Sequence, residues 1–280
     1  MRYVTFVVLI VSLSFLGCRE KETIALEAFV GSASKPATEE AAQLFEKKTG
    51  IKVHLHFGGS GKMLSQMLLA QRGDLYFPGS SDYMEKAKRK NCVYPDTEKR
   101  IVYLIPAINV PLANPKKISS LADLTKEGVR VGIARPDTVC VGLYAIEVLE
   151  RAKLREAVSK RIVTNAESCA KTAQLAALGS VDAIVGWRVF QYWNPDKLKT
   201  ILLEKNQIPR IGYIPIAISK FTKERKKAQQ FIDFLQSPEG QAIYRKWNYL
   251  ASPEEARTFT EADTPIGGEW QLPSEGSNKP

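Results

Sequence analysis

Histidine is nearly missing from this chain: its 280 residues include only two, His54 and His56, together with four cysteines. A serine nucleophile needs a base that an acid orients, and a structural zinc site needs four cysteine or histidine ligands. The two histidines share one face of a strand pattern that offers no third ligand, so we interpret them as ordinary strand residues. The sequence therefore predicts a protein that is not an enzyme, needs no cofactor and has no resident metal.

Aromatic residues are also missing from the two most basic runs, Lys86–Lys90 and Lys223–Lys227. The net charge is +10, but the lysines and arginines are interleaved with acidic residues along the chain. A nucleic-acid-binding surface would combine a basic cluster with aromatic side chains. Both runs have helical spacing, so we interpret them as solvated helix faces and predict no nucleic-acid partner. The excess of positive charge instead attracts anions through its long-range field.

The N-terminus begins with Arg2 and an uncharged apolar run that ends at Gly17 and Cys18. This run is short for a membrane span, and its basic start and final small residue are typical of an export signal. Because the ending resembles a bacterial lipoprotein signal, we predict a signal peptide over 1–17 and lipidation of Cys18. The protein would then be anchored to a membrane in the periplasm or at the cell surface. An uncleaved anchor and plain secretion are the alternatives.

Short apolar strands alternate with amphipathic helices along most of the chain, a pattern typical of α/β folds with parallel sheets. Two apolar strands, Arg100–Val110 and Gly212–Ser219, interrupt this alternation and divide it into two units. We therefore predict a two-lobed clamshell with a central mixed, mostly parallel sheet in each lobe and a two-strand hinge. The predicted boundaries are 18–107 plus 213–260 for lobe 1, 108–212 for lobe 2, and 261–280 for a flexible tail.

A glycine-serine loop follows the strand Ile51–Phe57, in the stretch HFGGSGKM. It is not a Walker loop, because His56 stands where the first glycine is required and Met63 where serine or threonine is required. Gly61 and the two glycines before it let backbone N–H groups turn inward. Ser60 adds a hydroxyl at the positive end of the next helix. These are the features of a small anion site.

Three more loops occupy the same position, after a strand and before a helix: Val30–Ser34, Arg135–Gly142 and Asn165–Thr172. Any one of them alone is an ordinary helix cap. Two of the four loops belong to each predicted lobe, and ligands in such folds bind beyond the carboxyl ends of strands, between the lobes. The four loops together therefore predict a cleft that surrounds a compact anion with neutral donors.

The order of these motifs resembles that of the periplasmic molybdate/tungstate-binding proteins of ABC transporters. The resemblance covers residues 24–250 and rests on FVGSAS, HFGGSGKM, GDLYFPGSSDYM, PDTVCVGLYAIEVLE and QQFIDFLQSPEGQAIYRKW. It implies a type II solute-binding protein fold that holds a tetrahedral oxyanion through serine hydroxyls and backbone N–H groups. It also implies a monomeric receptor that delivers molybdate or tungstate to an inner-membrane permease.

The resemblance also implies which hydroxyl groups contact the ligand. The serine of the second loop falls on Ser60, which is followed by Gly61. The serine of the first loop falls on Ala33, so Ser32 or Ser34 must supply that hydroxyl.

The backbone donors of the third and fourth loops fall on Val141 and Cys169. Many relatives then carry a tyrosine that contacts the oxyanion, whereas this chain has Gly186 there and Arg188 two residues later. An arginine that reached the cleft would favour phosphate, a sulfonate or a carboxylate; the alternative is a surface arginine. The second candidate function is therefore a receptor or adhesin of the same fold that binds phosphate or a small phosphorylated or carboxylated metabolite.

Three cysteines follow the predicted signal, and export would place them in an oxidising compartment, with three choices of pair. Cys140 and Cys169 lie at helix starts on the two loops that the resemblance brings to one ligand within lobe 2. Loops that converge on one small anion come within the range of a disulfide. We therefore predict a Cys140–Cys169 disulfide, with Cys92 unpaired; the alternative is two reduced, packed cysteines.

Overall fold

The computed structural model describes residues 25–272, so the predicted signal peptide and Cys18 lie outside the described residues. The described part forms two α/β lobes, each built on a five-stranded sheet. The first lobe contains β1 (Ala25–Gly31), α1 (Lys35–Thr49), β2 (Lys52–Gly58), α2 (Ser60–Ala70), β3 (Leu75–Phe77), α3 (Ser81–Arg89) and β4 (Lys99–Leu104).

The second lobe follows directly, and the chain then returns to the first. The second lobe contains β5 (Pro106–Pro111), β6 (Val131–Ala134), α4 (Cys140–Arg151), α5 (Arg155–Ser159), β7 (Ile162–Ala166), α6 (Cys169–Ala177), β8 (Ala183–Trp187), α7 (Phe190–Trp193) and β9 (Leu198–Leu202). The returning chain forms β10 (Gly212–Ile218), α8 (Arg225–Gln236), α9 (Pro238–Lys246) and α10 (Pro253–Arg257).

The two sheets have the same plan. Their strand orders are β2-β1-β3-β10-β4 and β7-β6-β8-β5-β9. In each sheet the strand that arrives from the other lobe, β10 or β5, pairs antiparallel with both neighbours, and the other four strands run in one direction. The predicted fold class, two lobes with mixed, mostly parallel sheets, is confirmed.

The chain crosses between the lobes twice. The first crossing lies at Ile105, between β4 and β5, so the apolar run Arg100–Val110 is two strands of different sheets. Pro106 lacks the N–H that a continued ladder would use and stands at the first position of β5, where proline is tolerated. This crossing comes two residues before the boundary predicted at 107. The second crossing spans 203–211, next to the boundary predicted at 212.

The helices cover the sheets with the faces that the sequence periodicity indicates. Four apolar residues recur at helical spacing in α8, and all four are buried: Ala228, Phe231, Ile232 and Leu235. Helix α9 begins with Pro238 at its first position, and the Ser237 hydroxyl accepts a hydrogen bond from the N–H of Gly240 at 3.2 Å. Between residues 25 and 272, no helix has the length and apolar character needed to cross a membrane.

The C-terminal segment differs from the flexible tail that its turn-forming composition predicts, at least over residues 261–272. Gly267 N–H donates to the main-chain oxygen of Ile211 at 2.8 Å, and the Ser81 hydroxyl donates to the oxygen of Gly268 at 2.7 Å. Trp270 packs against the apolar core of the second lobe. Main-chain hydrogen bonds to the second crossing segment hold this stretch, and they do not depend on side-chain composition.

Candidate functional site

The four loops predicted from the sequence meet between the two lobes. The N–H of Gly61, in the first turn of α2, donates to the main-chain oxygen of Thr138 at 2.9 Å. The N–H of Ala170, in the first turn of α6, donates to the Ser32 hydroxyl at 3.2 Å. Each of these bonds joins a loop of one lobe to a loop of the other, so the two sheets present their helix starts to each other.

Ser60 occupies the centre of this meeting point and is 1% exposed. Its hydroxyl accepts a hydrogen bond from the N–H of Gly79 at 3.0 Å, and its main-chain oxygen accepts one from the Tyr76 hydroxyl at 2.9 Å. Strand β3 and the loop after it therefore fix both the backbone and the side chain of Ser60.

Gly79 belongs to a fifth loop, which links β3 to α3 and which sequence reasoning did not assign to the site. A Cβ at this position would lie 2.5 Å from the Cys140 sulfur and 2.8 Å from the Cβ of Ala33, so only glycine fits. The neighbouring Ser80 is completely buried. The signal that could have found this loop is its position, since it also follows a strand and precedes a helix at the same edge of the sheet.

Two thiols complete the meeting point. Cys140 and Cys169 are the first residues of α4 and α6, both are buried, and their sulfur atoms lie 3.5 Å apart as free thiols. Burial raises the pKa of the Cys140 thiol well above its usual value, and the adjacent Cys169 raises it further. Hydrogen-bonding contacts with the Ser60 hydroxyl and the Val141 N–H act in the opposite direction. The two cysteines predicted to form a disulfide are therefore neighbouring thiols here, and the formation of the disulfide stays a prediction. We call Ser60, Gly79, Cys140, Val141 and Cys169 the seat.

Several buried polar groups around the seat have no hydrogen-bond partner among the described residues: the hydroxyls of Ser34, Ser80, Tyr83 and Tyr144, and the indole Nε1 of Trp187. Ser34 lies on the loop before α1 and Ser80 on the loop before α3. Tyr83 lies in α3 and Tyr144 in α4. Burial raises the pKa of both tyrosine hydroxyls, so they are neutral donors. A buried polar group without a partner costs about 1–3 kcal/mol, so this interior is suited to a ligand that accepts hydrogen bonds.

Gly186 lies near the end of β8 and Arg188 directly follows that strand; the sequence leaves Arg188 either in the cleft or at the surface. A Cβ on Gly186 would come within 2.4 Å of the Asn109 side-chain oxygen, so no tyrosine fits there. The Arg188 guanidinium lies over the rings of Tyr192 and Phe259, at 5.6 and 5.0 Å from their centroids, and donates to a main-chain oxygen in the loop after α9. None of these contacts is with the seat, so the structure does not bring Arg188 together with the other predicted site residues.

A second polar contact between the lobes lies at the second crossing and was missed by sequence reasoning. Arg210 is 4% exposed, and its guanidinium donates to both carboxylate oxygens of Asp82 at 2.9 and 3.1 Å. It also donates to Glu147 at 2.8 and 3.1 Å and lies 4.0 Å from the centroid of the Tyr144 ring. A further donor reaches the main-chain oxygen of Gly268 at 3.0 Å. We call Arg210, Asp82 and Glu147 the hinge cluster.

Two α/β lobes that enclose neutral donors at their helix starts define the class of solute-binding proteins. The family described as bacterial extracellular solute-binding protein matches residues 26–250, and this chain belongs to it. The resemblance found in the sequence is thereby confirmed.

Individual relatives agree with this assignment. The molybdate-binding protein ModA of Rhodobacter capsulatus is 26% identical over 80% of this chain and 87% of its own length. The periplasmic molybdate-binding protein of Azotobacter vinelandii superposes with a TM-score of 0.71, at 19% identity over 82% of this chain and 99% of that one. PEB3 of Campylobacter jejuni, in a structure with bound L-phospholactate, superposes with a TM-score of 0.66, at 20% identity over 82% of this chain and all of that one.

Proposed function

We propose that this protein is the receptor of an ABC importer and that it binds a tetrahedral oxyanion between its lobes. Molybdate and tungstate are the leading candidates for this anion, which the receptor delivers to the permease. The observation that carries the proposal is the set of buried hydroxyls without partners around the seat. An oxyanion offers several acceptor oxygens and would satisfy these donors. The molybdate-binding relatives support the choice of anion.

Closure of the lobes follows from the same contacts. Ser60 and the β3–α3 loop belong to the first lobe, whereas Val141 and Cys169 belong to the second. An anion that accepts hydrogen bonds from both lobes binds the closed arrangement more tightly than an open one and therefore shifts the equilibrium towards closure. A permease that recognises the closed arrangement would distinguish the loaded receptor from the empty one.

In this proposal Ser60 is a ligand-binding residue and not a nucleophile. The Ser60 hydroxyl accepts a hydrogen bond from the Gly79 N–H, whereas His56 pairs with Glu27 at 2.9 Å and stacks on Phe29. A serine nucleophile requires a base within hydrogen-bonding distance. We therefore propose binding and release without turnover, by a monomer held at the membrane through lipidated Cys18.

Calorimetric titration of the full-length protein in detergent tests the proposal, with molybdate, tungstate, sulfate and phosphate as ligands. We expect molybdate and tungstate to release heat with 1:1 stoichiometry. In Ser60→Ala the affinity should fall by about 1–3 kcal/mol, the cost of removing one donor from a buried anion. The matched control is Ser219→Ala, because Ser219 is also fully buried and its hydroxyl also accepts a backbone N–H, from Phe221 at 3.1 Å. Equal affinities in Ser60→Ala and Ser219→Ala would show that the Ser60 hydroxyl does not bind the anion.

A second candidate ligand is a small phosphorylated or carboxylated metabolite. Two observations favour it: Gly186 takes the place of the tyrosine that many molybdate-binding relatives have, and the hydroxyls of Tyr83 and Tyr144 extend the unpartnered donors beyond the seat. The relative with bound L-phospholactate has the same fold. Adding a phosphorylated hydroxy acid to the titrations decides between the candidates. Because Arg188 contacts aromatic rings, we expect Arg188→Ala to bind either ligand as tightly as the unchanged protein does.

A further inference from the structure

We propose that Cys140 and Cys169 are a redox-active pair that controls access to the seat: the dithiol occupies it with sulfur, and the disulfide opens it to the anion. This inference rests on the proposed function, because it concerns how the same site is regulated. It goes beyond a structural cross-link, since the two redox states are assigned different affinities for the ligand.

The geometry of the pair allows the bond to form within one lobe. Both cysteines open helices of the second lobe, α4 and α6, and their sulfur atoms are 3.5 Å apart. A disulfide has an S–S length of about 2.05 Å, so an approach of about 1.5 Å is needed, which side-chain rotation can supply. The bond itself joins two residues of the second lobe and does not link the lobes to each other.

The dithiol competes with the ligand for donors. The Ser60 hydroxyl and the Val141 N–H are the two groups predicted to hold the oxyanion, and the Cys140 sulfur lies beside them. Val141 is the next residue in α4, and the point where a Cβ of Gly79 would lie is 2.5 Å from the sulfur and 3.6 Å from the Ser60 hydroxyl oxygen. The same sulfur fills the space beside Gly79, where it would lie 2.5 Å from an added Cβ. In the reduced receptor the lobes therefore close with the Cys140 thiol in the seat. The anion must displace this thiol, which is already hydrogen-bonded to Cys169.

Oxidation removes this competition. Forming the bond draws the Cys140 sulfur towards Cys169, in the second lobe, and away from Ser60 and Gly79, in the first. A disulfide sulfur has no S–H proton and has moved away from Ser60, so the Ser60 and Val141 donors become available. The unpartnered hydroxyls of Ser80 and Tyr83 are then joined by two further donors around the vacated space.

The chemical step is thiol–disulfide exchange with a small or protein disulfide as oxidant. The thiolate of one cysteine attacks a sulfur of the oxidant, which forms a mixed disulfide and releases one thiol. The second cysteine attacks the protein sulfur of the mixed disulfide, and the second thiol leaves. Two electrons and two protons pass from the protein to the oxidant. Because both sulfur atoms are buried between the lobes, the exchange takes place while the lobes are open.

The test compares two preparations of the full-length protein, one reduced with a phosphine and one oxidised with glutathione disulfide, each freed of reagent and titrated with molybdate and tungstate. We expect the oxidised form to bind at least tenfold more tightly. Cys140→Ala should bind equally well after either treatment, because it has neither the competing sulfur nor the bond. Cys92→Ala is the matched control, another buried free cysteine, and should keep the redox difference. Thermal unfolding of each preparation verifies that it is folded.

Three results would overturn the inference. Equal, measurable affinity in the reduced and oxidised forms would remove the redox control and leave the proposed function standing. Tighter binding by the reduced form would reverse its sign and have the same consequence. Absence of binding in both forms and in folded Cys140→Ala would reject the proposed anion together with its regulation.

Discussion

The two polar regions that join the lobes differ in how completely their groups are paired. In the hinge cluster, Arg210 uses its donors on two carboxylates and a main-chain oxygen, all with good geometry. Around the seat, neutral hydroxyls of similar burial lack partners among the described residues. Buried charges that are fully paired stabilise one arrangement of the chain. Unpaired neutral donors instead destabilise the protein without its ligand, and this cost is removed when a bound ligand accepts their hydrogen bonds.

The largest expected effect comes from breaking the hinge cluster. Arg210→Met leaves the carboxylates of Asp82 and Glu147 buried without their partner, and we expect the free energy of unfolding to fall by about 3–5 kcal/mol, as measured in denaturant. Arg188→Met is the matched control, since Arg188 contacts two rings and a main-chain oxygen but no carboxylate among residues 25–272. An equally small decrease in the free energy of unfolding of both variants would show that the hinge cluster does not stabilise the fold through its paired charges.

The next effect concerns the tight packing of the seat. Gly79→Ala places a methyl group 2.5 Å from the Cys140 sulfur, and overpacking of this kind costs about 1–3 kcal/mol. The double variant Gly79→Ala/Cys140→Ala should recover part of that loss, because the clashing atom is gone. Thermal or chemical unfolding of the two variants provides the measurement, and strictly additive losses would show that the glycine and the sulfur do not meet.

A pair of tyrosines sharpens the comparison between paired and unpaired groups. Tyr76→Phe removes a hydroxyl that donates to Ser60 at 2.9 Å and should lower the free energy of unfolding by about 0.5–1.5 kcal/mol. Tyr83→Phe removes an unpartnered hydroxyl and should leave the stability of the empty protein unchanged or higher, while it weakens ligand binding. Unfolding of the empty proteins, followed by calorimetric titration, separates the two effects. A large loss of stability in Tyr83→Phe would mean that its hydroxyl is paired in the empty protein.

The smallest effect is a dependence of stability on pH. Burial raises the pKa of the Glu147 carboxyl, although Arg210 opposes the rise. The folded chain therefore keeps a proton that the unfolded chain releases near pH 4.3, and the stability contributed by this group is complete below about that pH and is lost as the pH rises through the folded pKa. Glu147→Gln should flatten this part of the stability profile. An unchanged slope would assign the pH dependence to another group.

The sequence by itself determined the fold class and four of the five loops around the seat. These features depend on local patterns: alternation of strands and helices, and glycine and serine after a strand. Such patterns are set by the backbone preferences of neighbouring residues, so the positions of Ser60, Val141 and Cys169 at helix starts could be predicted. The spacing of the apolar residues in α8 likewise indicates its buried face.

Only the tertiary structure decided which distant groups meet. Arg210 contacts Asp82 and Glu147, which are 128 and 63 positions away in the sequence, and no local pattern marks such a cluster. The sequence leaves Arg188 either in the cleft or at the surface, and the tertiary structure directs its contacts to aromatic rings outside the seat. The close approach of the Cys140 sulfur to Gly79 likewise depends on how the two lobes fit together. Side-chain packing across an interface is fixed by three-dimensional complementarity and not by sequence spacing.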